Sequence, residues 1–221
     1  MALKVLGGNV SPFVRKVRVF CAEKNIPYTL EQVSPFAPPE GWRDKSPLGR
    51  IPVCEHDGEL VNDSSIICAY LERIHPEPAL FPADPYERAR AEWLEEYMDG
   101  GVIPVGGPSV FRPLALDPLL TRKEVTPEAV AAAEKTVDEK LNPLLAYLEQ
   151  QLGGNDFFIA NRLSIADISV ATIFVNLRHA GFPPDAKKLP KLAAFVTRMH
   201  DRPSFKACIE EERPVFGKRW K

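Results

Sequence analysis

The chain has 221 residues, enough to bury one large core or two smaller ones. A hydrophobic content of 45% beside 26% charged residues excludes a disordered chain. A formal charge of −2 with no run of like charge argues against a nucleic-acid surface, and no apolar stretch reaches about 18 residues, so no segment is expected to span a membrane.

The opening Met-Ala-Leu-Lys-Val-Leu-Gly-Gly has too short an apolar part for a secretion signal, and a cytoplasmic protein is expected. Residues 3–6 read as a first strand, ended by Gly7-Gly8. Over 12–24, Val14, Val17, Val19, Phe20 and Cys21 form the apolar stripe of a helix, and Pro12 suits its first turn, where an N–H would have no partner. Residues 28–33 alternate as a strand, and the Pro-rich stretch 34–50 reads as a loop with one helical turn around Trp42. Two further strands, 52–56 and 59–61, flank Asp57-Gly58, a strong hairpin signal. A helix over 64–73 follows, carrying Ile66, Ile67, Tyr70 and Leu71. This order predicts a mixed sheet with helices on its faces.

Prolines punctuate the stretch after His75, and residues 77–85 read as a semi-rigid linker. Everything beyond reads as helical. A helix starting at 86 is expected to break at Gly100-Gly101 and Pro104. Thr126-Pro127-Glu128 marks the start of another, whose Val130, Val137, Leu141, Leu144, Leu145, Leu148 and Leu152 share a broad face before Gly153-Gly154. Ser164-x-x-Asp167 is a helix-capping arrangement, and two shorter helices are predicted near 190–200 and 203–212. Cys21, Cys54, Cys68 and Cys208 form no CxxC pair and read as small buried hydrophobes. The four histidines match no metal-ligand spacing.

Three short signals carry chemistry. Ser11, between a strand end and a helix start, is either a plain N-cap or a neutral donor to an anion such as a thiolate at the positive end of the helix dipole. Asn9 is a rival donor from the same turn. Arg50-Ile51-Pro52 enters the third strand. A cis bond at Pro52 would turn the Ile51 backbone outward to pair with an extended peptide, while Arg50 is either a solvated arginine or a cation for a carboxylate. Asp63-Ser64 is either a helix cap or a clamp for an amino-acid head group, with Asp63 for the ammonium and Ser64 with the backbone N–H groups for the carboxylate. The combination suggests an α-amino-acid clamp, a backbone clip and a thiol donor.

At this point the sequence resembles the cytosolic glutathione transferase family. The resemblance rests on Ser11-Pro12-Phe13-Val14-Arg15-Lys16-Val17-Arg18, on Ser46-Pro47-Leu48-Gly49-Arg50-Ile51-Pro52-Val53 and on Leu60 through Leu71. In the second half it rests on Phe158 through Ile168. It implies a thioredoxin-like α/β domain over 1–76, the linker 77–85, and an all-α bundle over 86–221. It also implies glutathione as co-substrate, no cofactor or metal, and a homodimer joined through residues around 65–100. Ser11 would face the glutathione sulfur, Ile51 and Pro52 the cysteinyl unit, Asp63 and Ser64 the γ-glutamyl group, with Arg50 toward the glycyl end. A small hydrophobic electrophile would sit near Phe13, Phe36, Tyr97, Val102 and Phe111. Serine at the turn resembles the serine-type branches; the Ser-Ser-Cys run of the isomerase branch is not matched, and Asp63 stands where Glu is usual. Competing implications are peroxide reduction or dehalogenation by the same thiolate, and a scaffold that binds partners without catalysis.

Overall fold

A computed structural model of the chain describes residues 3–216, so Met1 and Ala2 of the opening stretch lie outside the described residues. Four strands form one sheet: β1 (Leu3–Leu6), β2 (Thr29–Glu31), β3 (Val53–His56) and β4 (Glu59–Asn62), in the order β2-β1-β3-β4. β1 runs parallel to β2 and antiparallel to β3, and β3 runs antiparallel to β4. The predicted strand at 28–33 shrinks to three residues because the ladder ends where β1 ends, at the pair Leu6–Glu31. Asp57 and Gly58 both take positive φ, the backbone that a two-residue hairpin loop needs.

Alternation in β1 sorts its side chains to two faces. Leu3 and Val5 join the main core, while Leu6 joins Val33, Trp42 and Val53 on the other side. Trp42 comes from the short helix α2 (Trp42–Lys45), the single turn expected in that loop. On the first face lie α1 (Pro12–Glu23) and α3 (Ser64–Ile74). The four cysteines are buried, as expected of small apolar side chains.

The second half is helical: α4 over 85–121, α5 over 127–152, α6 (Ile165–His179), α7 (Pro190–His200) and α8 (Pro203–Phe216). The expected break at Gly100-Gly101 and Pro104 does not occur. Instead α4 continues through wider, π-type turns at Tyr97–Val102 and Gly107–Leu116, and α5 does the same at Val137–Leu141. Each widened stretch contains or closely precedes a proline: Pro104, Pro108 and Pro113, Pro118, and Pro143. Proline removes a rung and crowds the preceding turn, and here the chain widens that turn instead of stopping. The last helix runs to Phe216 rather than 212.

α1 holds the two halves together. Every residue from Val14 to Cys21 is buried, because the sheet side and α3 cover one face and α6 and α8 cover the other. That includes Arg15, Lys16 and Arg18, which each find a carboxylate: Glu212, Glu95 with Asp99, and Glu211. Between the halves, Glu72 accepts from the backbone N–H groups of Leu80 and Phe81 and pairs with Lys24 at 2.7 Å. Ile165 N–H in turn donates to Leu80 O, so this stretch is pinned to α3 on one side and α6 on the other.

Candidate functional site

Sheet register gathers the three sequence signals at one end of the sheet. Leu6 pairs with Val53, and Val53 pairs with Asn62, so these residues form one row. The turn 7–11 leaves that row after Leu6. Ile51-Pro52 enters it before Val53, and Asp63-Ser64 leaves it after Asn62. The Ile51-Pro52 bond is cis, as is Glu77-Pro78, which the sequence did not suggest. Gly7 fits tightly in this corner: a Cβ there would lie 2.5 Å from Val14 Cγ2 and 3.3 Å from Ile51 Cβ, so the turn packs against both α1 and the strand entrance.

Ser11 is the N-cap of α1, with extended φ −74° and ψ 129°. Its Oγ accepts from Val14 N–H at 3.4 Å, and its own N–H donates to Gly8 O at 3.1 Å. Capping uses an oxygen lone pair, so the hydroxyl proton is left to donate elsewhere. Cap and donor are therefore compatible roles. Asn9 lies in the same turn, half-buried. Phe13 is half-buried on the first turn of α1, and Phe36, on the loop after β2, is 57% exposed.

Asp63 caps α3 at φ +75°, its Oδ1 accepting from Ser65 N–H at 2.9 Å and Ile66 N–H at 3.4 Å. Asp63 is exposed, whereas Ser64 behind it is almost fully buried. Arg50 is exposed, with its backbone carbonyl held by Ser46 Oγ at 2.8 Å.

A group not foreseen from the sequence backs the α3 start. Lys16 Nζ donates to Glu95 at 2.8 Å, Asp99 at 2.9 Å and Ser65 Oγ at 3.1 Å. Burial pushes the lysine pKa down, but the two carboxylates more than offset this, and it stands above the ordinary value. Burial pushes the Glu95 carboxyl up against the pull of Lys16. A second buried group backs the Ser11 turn. Arg15 bridges Glu212 with Nε and Nη2, and Arg15 with His179 outweighs burial to hold the Glu212 carboxyl below its ordinary pKa. The charged positions 15 and 16 carried no local sign of burial.

The other aromatic and apolar candidates lie along α4. Tyr97 donates to Leu144 O at 3.0 Å and stacks with Trp93 and Tyr147. Val102 is fully buried, and Phe111 packs edge-on to Phe216 inside the helical core. Val102 and Phe111 are committed to core packing and present almost no surface, whereas Tyr97 is half-buried. Among the described residues no group of His, Cys, Asp or Glu is arranged to hold a metal ion, and no helix is long and apolar enough to cross a membrane.

Comparison with known proteins agrees with this architecture. Residues 7–79 match the family model described as glutathione S-transferase, N-terminal domain, and residues 116–212 match the C-terminal domain. The protein LigF of Sphingobium sp. is 29% identical over 222 residues, covering 86% of each chain. The uncharacterized GST-like protein YibF of Escherichia coli is 31% identical, covering 92% of this chain and 96% of that one. Among solved structures, a glutathione S-transferase from Methylobacillus flagellatus with GSH bound is 30% identical. It superposes with a TM-score of 0.75, covering 94% of this chain and 98% of its own. A sheet domain followed by a helical bundle, matched in both halves, places this chain in the glutathione S-transferase family.

Proposed function

We propose that this protein is a glutathione-dependent enzyme in which glutathione thiolate attacks a hydrophobic electrophile. The observation that carries the reading is the shared row Leu6–Val53–Asn62, which brings a donor turn, a cis-proline strand entrance and an acid-capped helix to one sheet end. An extended tripeptide laid across that end would meet them in order. Ser11 donates its hydroxyl proton to the sulfur, and the α1 N-terminus favours the charged form. Each unit of thiol pKa lowering is worth about 1.4 kcal/mol, so roughly two units would make thiolate the main form near neutrality. The Ile51 backbone pairs with the cysteinyl unit in the manner of an added strand. Asp63 takes the γ-glutamyl ammonium, the first N–H groups of α3 with Ser64 take its carboxylate, and Arg50 faces the glycyl end.

In this reading residues 1–76 form the glutathione-binding domain, 77–85 the linker and 86–221 the helical domain. The electrophile approaches beside Phe13, Phe36 and Tyr97, which retain surface, rather than against the buried Val102 or Phe111. Ser11 serves as the thiol donor in preference to Asn9, because it sits on the helix N-terminus itself. The protein works in the cytoplasm as a homodimer, using the exposed apolar residues of α3 and α4.

Calorimetric titration tests the clamp. Glutathione should bind, and Cys-Gly, which lacks the γ-glutamyl group, should bind tenfold or more weakly, since a charge-assisted hydrogen bond contributes about 1.5–3 kcal/mol. Asp63→Ala should remove most of that preference. Equal binding of the two peptides would contradict the assignment of Asp63 and Ser64, and no binding of either would return the chain to the scaffold reading.

A further inference from the structure

The Ser11 turn is held from outside its own domain. The backbone carbonyls of the two residues that neighbour Ser11, Val10 and Pro12, both meet side chains of α6. Asn176 Nδ2 donates to Val10 O at 3.0 Å, and Thr172 Oγ1 donates to Pro12 O at 3.0 Å. Arg15, one turn into α1, closes the group. Its Nη1 donates to Thr172 O at 2.8 Å and Asn176 Oδ1 at 2.7 Å, and its Nε donates to Glu212 at 2.7 Å. Arginine has no acceptor and a peptide carbonyl no donor, so the Asn176 amide has a single consistent orientation. Glu212 belongs to α8 and also meets His179 Nε2 of α6 at 3.2 Å. Arg15, Thr172, Asn176, His179 and Glu212 are all buried.

We propose that Thr172, Asn176 and the Arg15–Glu212 pair are positioning residues for the reaction, fixing the Ser11 hydroxyl against the glutathione sulfur from the helical domain. This rests on the assignment of Ser11 as the thiol donor. None of these side chains touches the sulfur in this account. They act by holding the backbone on both sides of Ser11. Simple packing of α1 on α6 would be met by apolar side chains, since a buried ion pair adds little over well-packed hydrophobes. What the polar group adds is direction: its donors end on the two carbonyls on either side of the donor residue. A hydrogen bond weakens steeply with misalignment, so a small shift of this turn would cost the donor its effect. Because Glu212 neutralises Arg15, the action is on geometry rather than through a net charge near the thiol.

The pKa of bound glutathione, read from the pH dependence of thiolate absorbance, together with its dissociation constant from calorimetry, tests the proposal. Thr172→Val keeps the shape of the side chain and removes only the bond to Pro12 O. It should raise the bound-thiol pKa by about half a unit, a roughly threefold loss of thiolate below that pKa, with binding changed less than twofold. Glu212→Gln should shift it further, and where Glu212→Gln yields no folded protein, Thr172→Val decides. In a Ser11→Ala background Thr172→Val should shift nothing, because the effect passes through Ser11. A Thr172→Val thiol pKa equal to that of the wild type, or an equal shift with and without Ser11, would overturn the proposal while leaving the glutathione site intact. A wild-type protein that binds glutathione without lowering its thiol pKa would instead defeat the donor assignment, and this inference with it.

Discussion

Partner chemistry fixes the protonation of the buried His200. His200 Nε2 faces the carbonyl of Ala171 at 3.0 Å, and its Nδ1 faces Arg178 Nη1 at 3.0 Å. A carbonyl can only accept and a guanidinium can only donate, so the ring is neutral with its proton on Nε2. Burial pushes its pKa down to about 3. A base whose folded pKa lies below its unfolded value contributes stability that is complete above about 6.5 and is lost as pH falls toward the folded value. From pH 7.5 to pH 5 that loss is about 2 kcal/mol. Urea unfolding at the two pH values should show it in the wild type and much less of it in His200→Gln; equal pH sensitivity would contradict the assignment. Ser11, Pro52 and Asp63 were legible in the sequence because caps and prolines act on neighbouring backbone and leave a local signature. Arg15 and Lys16 were not, since Glu212 lies 197 residues from the first and Glu95 lies 79 residues from the second. A charge buried by a distant partner looks, in sequence, like a solvated one.

Among the elements, α6 is the one most completely specified by its own start. Asp167 Oδ1 accepts from Phe158 N–H at 2.9 Å, and Oδ2 accepts from Ser164 N–H at 2.8 Å and Ser164 Oγ at 2.9 Å. The Ser-x-x-Asp spacing announced this capping box, because the box is closed within four residues. Asp167→Ala would strand two buried N–H groups and should cost about 2–4 kcal/mol in denaturant unfolding. A loss under about 0.5 kcal/mol, the scale of an ordinary surface change, would show that water or a shifted backbone replaces the cap. The long helix α4 is the contrary case. Gly100, Gly101 and the prolines that follow predict a break by local preference, yet packing against α6 keeps the chain helical with widened turns. Tertiary burial overrode propensity, and no short window of residues encodes that outcome.

At the scale of the whole molecule, one apolar core runs from the sheet through α1 into the bundle. Apolar surface remains outside that core. Ile66 is 59% exposed and Trp93 is 54% exposed, on α3 and α4, the helices proposed to join two copies of the chain. A two-fold interface repeats each substitution on both sides. Ile66→Glu should therefore raise the dimer dissociation constant by roughly a hundredfold, since like charges brought together cost several kcal/mol. Sedimentation velocity reads this directly, and an unchanged dimer would place the interface elsewhere. In the proposed reaction, a neutral hydroxyl at the α1 N-terminus ionises the thiol of the bound tripeptide. The most direct test is the thiol pKa of bound glutathione in the wild type and in Ser11→Ala. The wild-type value should lie well below the roughly 8.5 of a free thiol, and should return at least one unit toward it in the variant with glutathione still bound. A Ser11→Ala protein that holds the thiolate as well as the wild type would contradict it.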